Sequence, residues 1–309
     1  MIVIEALSRR FGGAVAVAEV SLEIGRGEVF GLLGPDGAGK TTLLRMLAGI
    51  LEPSAGSARI AGADIRADPE RVKAAIGYVP QAFSLWRDLT VLENLRFIAE
   101  TYQLPRDVIA ERTARLLAFA RLAPFARRLA EHLSGGMRQK LALAAALIHE
   151  PDVLLLDEPT TGVDPVSRRE FWQILYDLNQ QGKTVMLATP YMDEAERCTR
   201  VGLMHQGRIL STGPPTEVKA QLRGILLEVV ARPRRPALAA ARLLPEVRRG
   251  TVFGHSLHLL VEDTPAADGP VTARVRRALE AQGIVVESIR AIEPSLEDVF
   301  VALMMERRA

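Results

Sequence analysis

A short apolar run, Glu28 to Leu33, leads straight into Gly34-Pro35-Asp36-Gly37-Ala38-Gly39-Lys40-Thr41-Thr42, and Lys40 to Leu51 has helical spacing. This strand, glycine loop, helix order leaves few folds open. The loop's backbone N–H groups wrap phosphate oxygens, which residues free of Cβ clashes allow, and the helix N-terminus behind them adds positive potential. Lys40 then reaches the β- and γ-phosphates of a nucleotide, and Thr41 places a hydroxyl on Mg²⁺. The bland alternative is a glycine-rich turn before a lysine that merely starts a helix; the whole loop pattern in its strand-to-helix context argues against it.

A second apolar run, Val153 to Leu156, ends in Asp157-Glu158. Its continuous character is that of a strand buried on both faces of a parallel sheet, as is that of Thr184 to Ala188. Asp157 at the strand end is placed to hold the same ion, through water. Glu158, just before Pro159, projects beyond the strand, where it can orient and deprotonate water; a general base contributes roughly 10²–10⁴-fold. Its alternative is an acidic residue solvated at a strand end.

The chain has 309 residues, a prior for about two domains, and 48% apolar content, ample for sizeable cores. With 39 basic and 37 acidic residues the formal charge is +2, so no global field points to nucleic acid, and none is expected as a partner. The one cysteine, Cys198, suits a reducing compartment. Met1 to Glu5 alternates like a strand and soon meets Arg9 and Arg10, unlike a secretory signal. The most apolar helical stretch, Leu141 to Ile148, is far short of the roughly 20 residues of a membrane span, so membrane association is expected through a partner.

Strands are expected at Ile2 to Glu5, Val15 to Ile24, Ser57 to Ile60, Ile76 to Val79, Val201 to Met204 and Arg208 to Leu210. Leu89 to Ile148 has helical spacing rich in Leu, Ala and Arg, which reads as an inserted helical subdomain over about 82–150. After Pro214-Pro215 and a helix over Glu217 to Leu222 the composition shifts, and a second domain is expected from Gly224. There, strands at Ile225 to Val230, Val252 to Phe253, Leu257 to Val261 and Ile284 to Ile289 combine with helices at Ala237 to Leu244, Val271 to Gln282 and Ser295 to Arg307, a small α+β unit of ferredoxin-like type.

Leu133-Ser134-Gly135-Gly136-Met137-Arg138-Gln139 opens a helix whose N-terminus can bind an anion, though in isolation Ser-Gly-Gly is only a helix cap. Taken with the glycine loop, Gln81, Asp157-Glu158 and Asp164, in that family's order, the chain resembles the ATP-binding subunits of ABC transporters. The resemblance implies an α/β P-loop NTPase core of the ABC type over 1–223 and a small accessory α+β domain over 224–309. It implies ATP and Mg²⁺, and a head-to-tail dimer in which Ser134, Gly135 and Gly136 meet the γ-phosphate held by the opposing subunit, homologous or identical. It further implies that Gln81 senses Mg²⁺ and attacking water, that Phe11 stacks on adenine, and that Asp164 lies in the loop crossing the dimer interface.

The departure is Thr189-Pro190-Tyr191-Met192-Asp193-Glu194, where the family usually places a histidine directly after the threonine. Pro190 has no imidazole to contact the γ-phosphate or hold Glu158, and losing one such contact typically costs about 2.7–4 kcal/mol. The loop spelling and the Tyr191 to Glu196 run resemble those of bacterial drug-resistance or ABC-2 type exporters, as does Pro294 to Phe300 near the C-terminal end. An ATPase on the inner face of the cell membrane, driving separate membrane-spanning subunits, is therefore expected. The segment from Ala82 to Thr101, with Phe83, Leu85 and Trp86, is where this family receives the coupling helix of the membrane subunit. The alternative is a non-transport or regulatory ABC ATPase with weak turnover. Arg232, Arg234, Arg235, Arg248 and Arg249 form a basic cluster, read as a solvated face or as a contact for lipid headgroups or a partner.

Overall fold

The structure is a computed structural model that describes residues 1–262 and 270–306. The chain divides into two compact units, Met1–Pro215 and Thr216–Ala309. The division falls just ahead of the compositional shift at Gly224.

In the first unit the elements run β1 (Ile2–Phe11), β2 (Ala14–Ile24), β3 (Val29–Leu33), α1 (Lys40–Leu47), β4 (Ala55–Ile60), β5 (Ala63–Asp64), α2 (Pro69–Ala75) and β6 (Ile76–Val79). There follow α3 (Val91–Thr101), α4 (Arg106–Phe119), α5 (Gly135–Leu147), β7 (Val153–Asp157), α6 (Pro165–Gln180), β8 (Thr184–Thr189), α7 (Met192–Ala195), β9 (Arg200–His205) and β10 (Arg208–Gly213). α8 (Pro215–Lys219) spans the division.

Two sheets build this unit. A six-stranded sheet has the order β10-β9-β3-β8-β7-β6, parallel throughout except at the β10 edge. Every residue of β3, β7 and β8 is buried, as their unbroken apolar runs require of strands covered on both faces. A four-stranded antiparallel sheet, β2-β1-β4-β5, shares its core, which includes Ile4, Leu22, Phe30, Leu44 and Leu155. β1 runs well past Glu5, and its register shifts between Ile4 and Leu7, where Ala6 has φ 48°. That irregularity interrupts the alternation by which the strand would be recognised.

α3, α4 and α5 contact one another and supply the helical segment between β6 and β7. α3 begins in a capping box, with the Thr90 hydroxyl accepting from the Glu93 N–H and the Glu93 carboxylate accepting from the Thr90 N–H. Asp164 and Pro165 start α6, whose Phe171, Trp172, Leu175 and Leu178 are buried.

The second unit runs β11 (Ile225–Arg232), α9 (Arg234–Ala241), β12 (Val247–Phe253), β13 (Ser256–Val261), α10 (Val271–Glu280), β14 (Val285–Ile292) and α11 (Leu296–Glu306). Arg307, the expected end of the last helix, lies outside the described residues. The antiparallel order β12-β13-β11-β14, with βαββαβ connectivity, is the ferredoxin-like topology expected from sequence. α9 and α10 share its core with Leu227, Leu257 and Leu259. α11 meets β13 through Asp298, whose Oδ1 lies 2.7 Å from Nδ1 of buried His258.

Candidate functional site

The loop between β3 and α1 is shaped by its glycines. Gly39 caps α1 with φ 107°, and a Cβ there would lie 2.4 Å from the Ala16 carbonyl oxygen, so neither the backbone nor the space admits a side chain. Lys40, the first residue of α1, folds back under this loop. Its Nζ donates to the carbonyls of Gly34 at 2.7 Å and Pro35 at 3.2 Å, and lies 3.3 Å from Glu158 Oε1. The two charged side chains are only 3% and 7% exposed, so they face each other with little screening by water.

Glu158 is held from several sides. Oε2 accepts from Gln81 Nε2 at 2.9 Å and from the Thr161 hydroxyl at 3.3 Å. Its backbone sits at φ 49°, a left-handed conformation uncommon for a side-chain-bearing residue, and its N–H donates to the Ala188 carbonyl at 2.9 Å. Asp36 through Thr42, Ala16, Gln81 and Glu158 line one cavity of about 420 Å³.

Asp157 lies beneath, fully buried at the end of β7. Oδ1 accepts from the Thr41 hydroxyl at 3.0 Å, while the buried Oδ2 has no hydrogen-bond partner. Burial pushes this carboxyl above the usual carboxylate range, the Thr41 hydrogen bond opposes that, and the Glu158 charge adds to it. An unpartnered oxygen of a desolvated carboxylate beside a hydroxyl is a hard oxygen donor set, which fits Mg²⁺. Gln81 commits its amide nitrogen to Glu158, leaving its amide oxygen as the donor for an ion.

The other expected residues lie elsewhere. Ser134 caps α5, its hydroxyl accepting from the Met137 N–H at 3.3 Å. A Cβ on Gly136 would come within 2.4 Å of the Ser167 Cβ, and one on Gly135 within 3.5 Å of the Gly162 carbonyl oxygen. The opening of α5 therefore abuts the loop before α6. Asp164 caps α6, Oδ1 accepting from the Val166 N–H at 3.1 Å and the Ser167 N–H at 3.0 Å; the Ser167 N–H foremost holds its carboxyl below the usual range. Ser134, Gly135, Gly136 and Asp164 do not line the glycine-loop cavity. Phe11 does not either: it is 48% exposed at the end of β1, with the Arg9 guanidinium 4.7 Å from its ring centre.

Pro190 follows β8 and adds no polar side chain. Its neighbours are tied down: the Thr189 hydroxyl donates to Glu194 Oε2 at 2.7 Å and accepts from the Tyr191 N–H at 3.0 Å. Sequence reasoning gave no role to Ala16, Thr161 or Glu194. Ala16 contributes by position alone and carries no signal, whereas the Thr160-Thr161 pair directly after Asp157-Glu158-Pro159 was open to notice.

A parallel sheet with a glycine loop leaving β3, a lysine opening α1 and a carboxylate pair ending β7 defines a P-loop nucleotide-binding protein. The family model described as ABC transporter matches residues 17–161. The probable multidrug ABC transporter ATP-binding protein YbhF of Escherichia coli (strain K12) is 42% identical over 308 residues, covering 98% of this chain and 52% of that protein. The chain thus spans about half the length of YbhF. The Nod factor export ATP-binding protein I of Ralstonia nicotianae is 38% identical over 301 residues, covering 97% of this chain and 92% of the relative. Among solved structures, the dimeric post-hydrolysis state of the ATP-binding cassette MJ0796, bound to ADP and Pi, superposes with a TM-score of 0.63 at 28% identity, covering 69% of this chain and 98% of that one. The chain belongs to the family of ABC transporter ATP-binding proteins.

Proposed function

We propose that this chain binds and hydrolyses ATP as the motor subunit of an exporter, pairing head to tail with a second copy and driving separate membrane-spanning subunits. The convergence of Lys40, Gln81 and Glu158 over the glycine loop, with Thr41 and Asp157 beneath, carries the reading.

The loop N–H groups and Lys40 bind the β- and γ-phosphates, Lys40 exchanging its loop carbonyls and Glu158 for phosphate oxygens. Thr41, Asp157 and Gln81 would hold Mg²⁺, which when bound neutralises charge on the phosphate oxygens. Glu158, oriented by Gln81 and Thr161, takes the proton of the attacking water. Ser134 and the amides of Gly135 and Gly136 lie outside this cavity, and so serve the nucleotide of the opposing protomer, with Asp164 between the two. Phe11, exposed beside the loop-bearing unit's β1–β2 turn, stacks on the adenine.

Trp86, 42% exposed and tilted at 59° against Phe97 with ring centres 4.1 Å apart, supports docking of a membrane subunit's coupling helix over residues 82–101. A cavity of about 310 Å³ beside it is lined by Leu85, Ile98, Tyr78 and His149 among others. Among the described residues no helix is long and apolar enough to cross a membrane, so a place on the inner membrane face would come from that partner. Relatives named for multidrug transport and Nod factor export favour export as the direction of transport.

Pro190 favours a second reading, in which the partner is a different ATP-binding chain whose own catalytic residues work against Ser134 and Gly136 here. Mg²⁺-dependent hydrolysis by the purified chain tests the pair: turnover abolished in Glu158→Gln supports self-pairing, whereas tight ATP binding with no turnover until a second ATP-binding chain is added supports the mixed dimer. Absence of ATP binding refutes both.

A further inference from the structure

The segments after β7 and β8 are joined by one deeply buried carboxylate. Glu194 of α7, 1% exposed, accepts the Thr160 hydroxyl at Oε1 and the Thr189 hydroxyl at Oε2, the latter at 2.7 Å. Both threonines are themselves almost wholly buried. A carboxylate removed this far from water is strongly unfavourable unless its oxygens find donors, so the bridge is a built feature and no solvated face.

Arg168 of α6 completes the surroundings. Its Nε lies 3.7 Å from Glu194 Oε1, its Nη1 3.9 Å from Asp193 Oδ2, and its guanidinium 4.7 Å from the centre of the Tyr191 ring. The Tyr191 N–H returns to the Thr189 hydroxyl at 3.0 Å. Two loops and two helices therefore meet at a single side chain.

What this arrangement can do follows from the position of Thr160, two residues beyond Glu158. Glu158 sits at φ 49°, and a residue in that region stays there only when its surroundings over-determine it. On one side the Glu158 N–H is bonded to the Ala188 carbonyl at 2.9 Å. On the other, Thr160 is bonded to Glu194, which also grips Thr189, the neighbour of Ala188. The loop bearing Glu158 is thereby pinned at two points to the end of β8 and the helix after it.

We propose that Glu194 is a positioning residue for hydrolysis: through Thr160 and Thr189 it fixes the Glu158 loop against the Pro190 segment, a task for which position 190 offers no polar side chain. The inference rests on the ATPase reading above. Arg168 and Tyr191 hold the far side of the bridge, keeping α7 from shifting along α6.

The test uses the full chain with Thr160→Val, which removes the hydroxyl at nearly constant volume, and Thr160→Ser, which keeps it. Hydrolysis, binding of a fluorescent ATP analogue, and amide hydrogen exchange over residues 158–163 are measured for each. Thr160→Val should lower kcat about 10²-fold, the scale of a misplaced reacting group, with KM and analogue binding within about threefold. Exchange over 158–163 should quicken about tenfold, and Thr160→Ser should restore both. Unchanged kcat or unchanged exchange in Thr160→Val overturns the proposal, as does loss of nucleotide binding in step with kcat, which would mean a merely structural role. If Thr160→Val does not fold, Glu194→Gln, isosteric but with one oxygen replaced by a donor, is held to the same three readouts. A wild-type chain that does not hydrolyse ATP, alone or with a second ATP-binding chain added, sinks the functional reading, and the exchange arm then still decides whether the bridge orders the loop.

Discussion

Two helices of the first unit open on glycines, and they differ in what surrounds the opening. At α1, Lys40, Gln81 and Glu158 converge on one cavity with the loop. At α5, Ser134 spends its hydroxyl on a cap, Gly136 touches Ser167, and the opening lines no part of that cavity. Both offer N–H groups to an anion, but only the first has beside it a lysine, the carboxylate proposed as general base, and the Thr41–Asp157 pair proposed to hold Mg²⁺. The difference fits the proposal that α1 carries a site furnished by its own chain and that α5 is half of a site finished by another molecule.

The sharpest test of the contrast lies at the first site. Glu158→Gln should lower hydrolysis roughly 10²–10⁴-fold while leaving ATP binding intact, measured by phosphate release and by binding of a fluorescent ATP analogue. At the second, Gly135→Asp sets a carboxylate where a γ-phosphate is expected, with room beside the Gly162 carbonyl for the new Cβ. Like-charge juxtaposition costs several kcal/mol, so turnover should fall about 10²-fold with unchanged affinity of the isolated chain for ATP. Lys40→Ala should do the reverse, weakening ATP binding itself. Equal effects of Gly135→Asp and Lys40→Ala on binding would erase the distinction between the two openings.

Pro190→His probes the segment where a histidine was expected from the resemblance. An imidazole at position 190 should raise turnover about tenfold, a fraction of what one well-placed transition-state donor supplies. No change would show that hydrolysis does not depend on an imidazole at this position.

The smallest effect concerns the cavity beside Trp86. Burial foremost pushes His149 below its ordinary value of 6.5; the ring is stacked on Tyr102 at 3.9 Å, with Nε2 2.8 Å from the Ile76 carbonyl oxygen. Because the unfolded chain binds the proton more readily, this histidine's stability contribution is present above about pH 6.5 and is lost as the pH falls through the lowered folded value. Between pH 7 and pH 5 the wild type should therefore lose about 2–4 °C more in Tm than His149→Asn. Equal losses would show that the ring does not titrate with folding.

Legibility in the sequence followed locality. The glycine loop, the Asp157-Glu158 pair and the buried parallel strands could be read because each is one contiguous pattern, and the ferredoxin-like unit because its elements alternate cleanly. β12 was expected only at Val252 to Phe253 but starts at Val247, since Arg248, Arg249 and Gly250 carry no strand pattern and pairing with β13 decides. α6 went unassigned although Asp164-Pro165 is a start signal and Phe171, Trp172, Leu175 and Leu178 recur at helical spacing. The Thr160–Glu194–Thr189 bridge could not be read, because Thr160 and the Thr189 to Glu194 stretch are adjacent only in space.

In the proposed dimer, the glycine loop of one chain is completed by the α5 opening of a second copy. Light scattering on Glu158→Gln, which binds ATP without consuming it, measures this directly. The mass should double on adding Mg²⁺ and ATP and return to the monomer value with ADP. A chain that binds ATP at saturation and stays monomeric would contradict it.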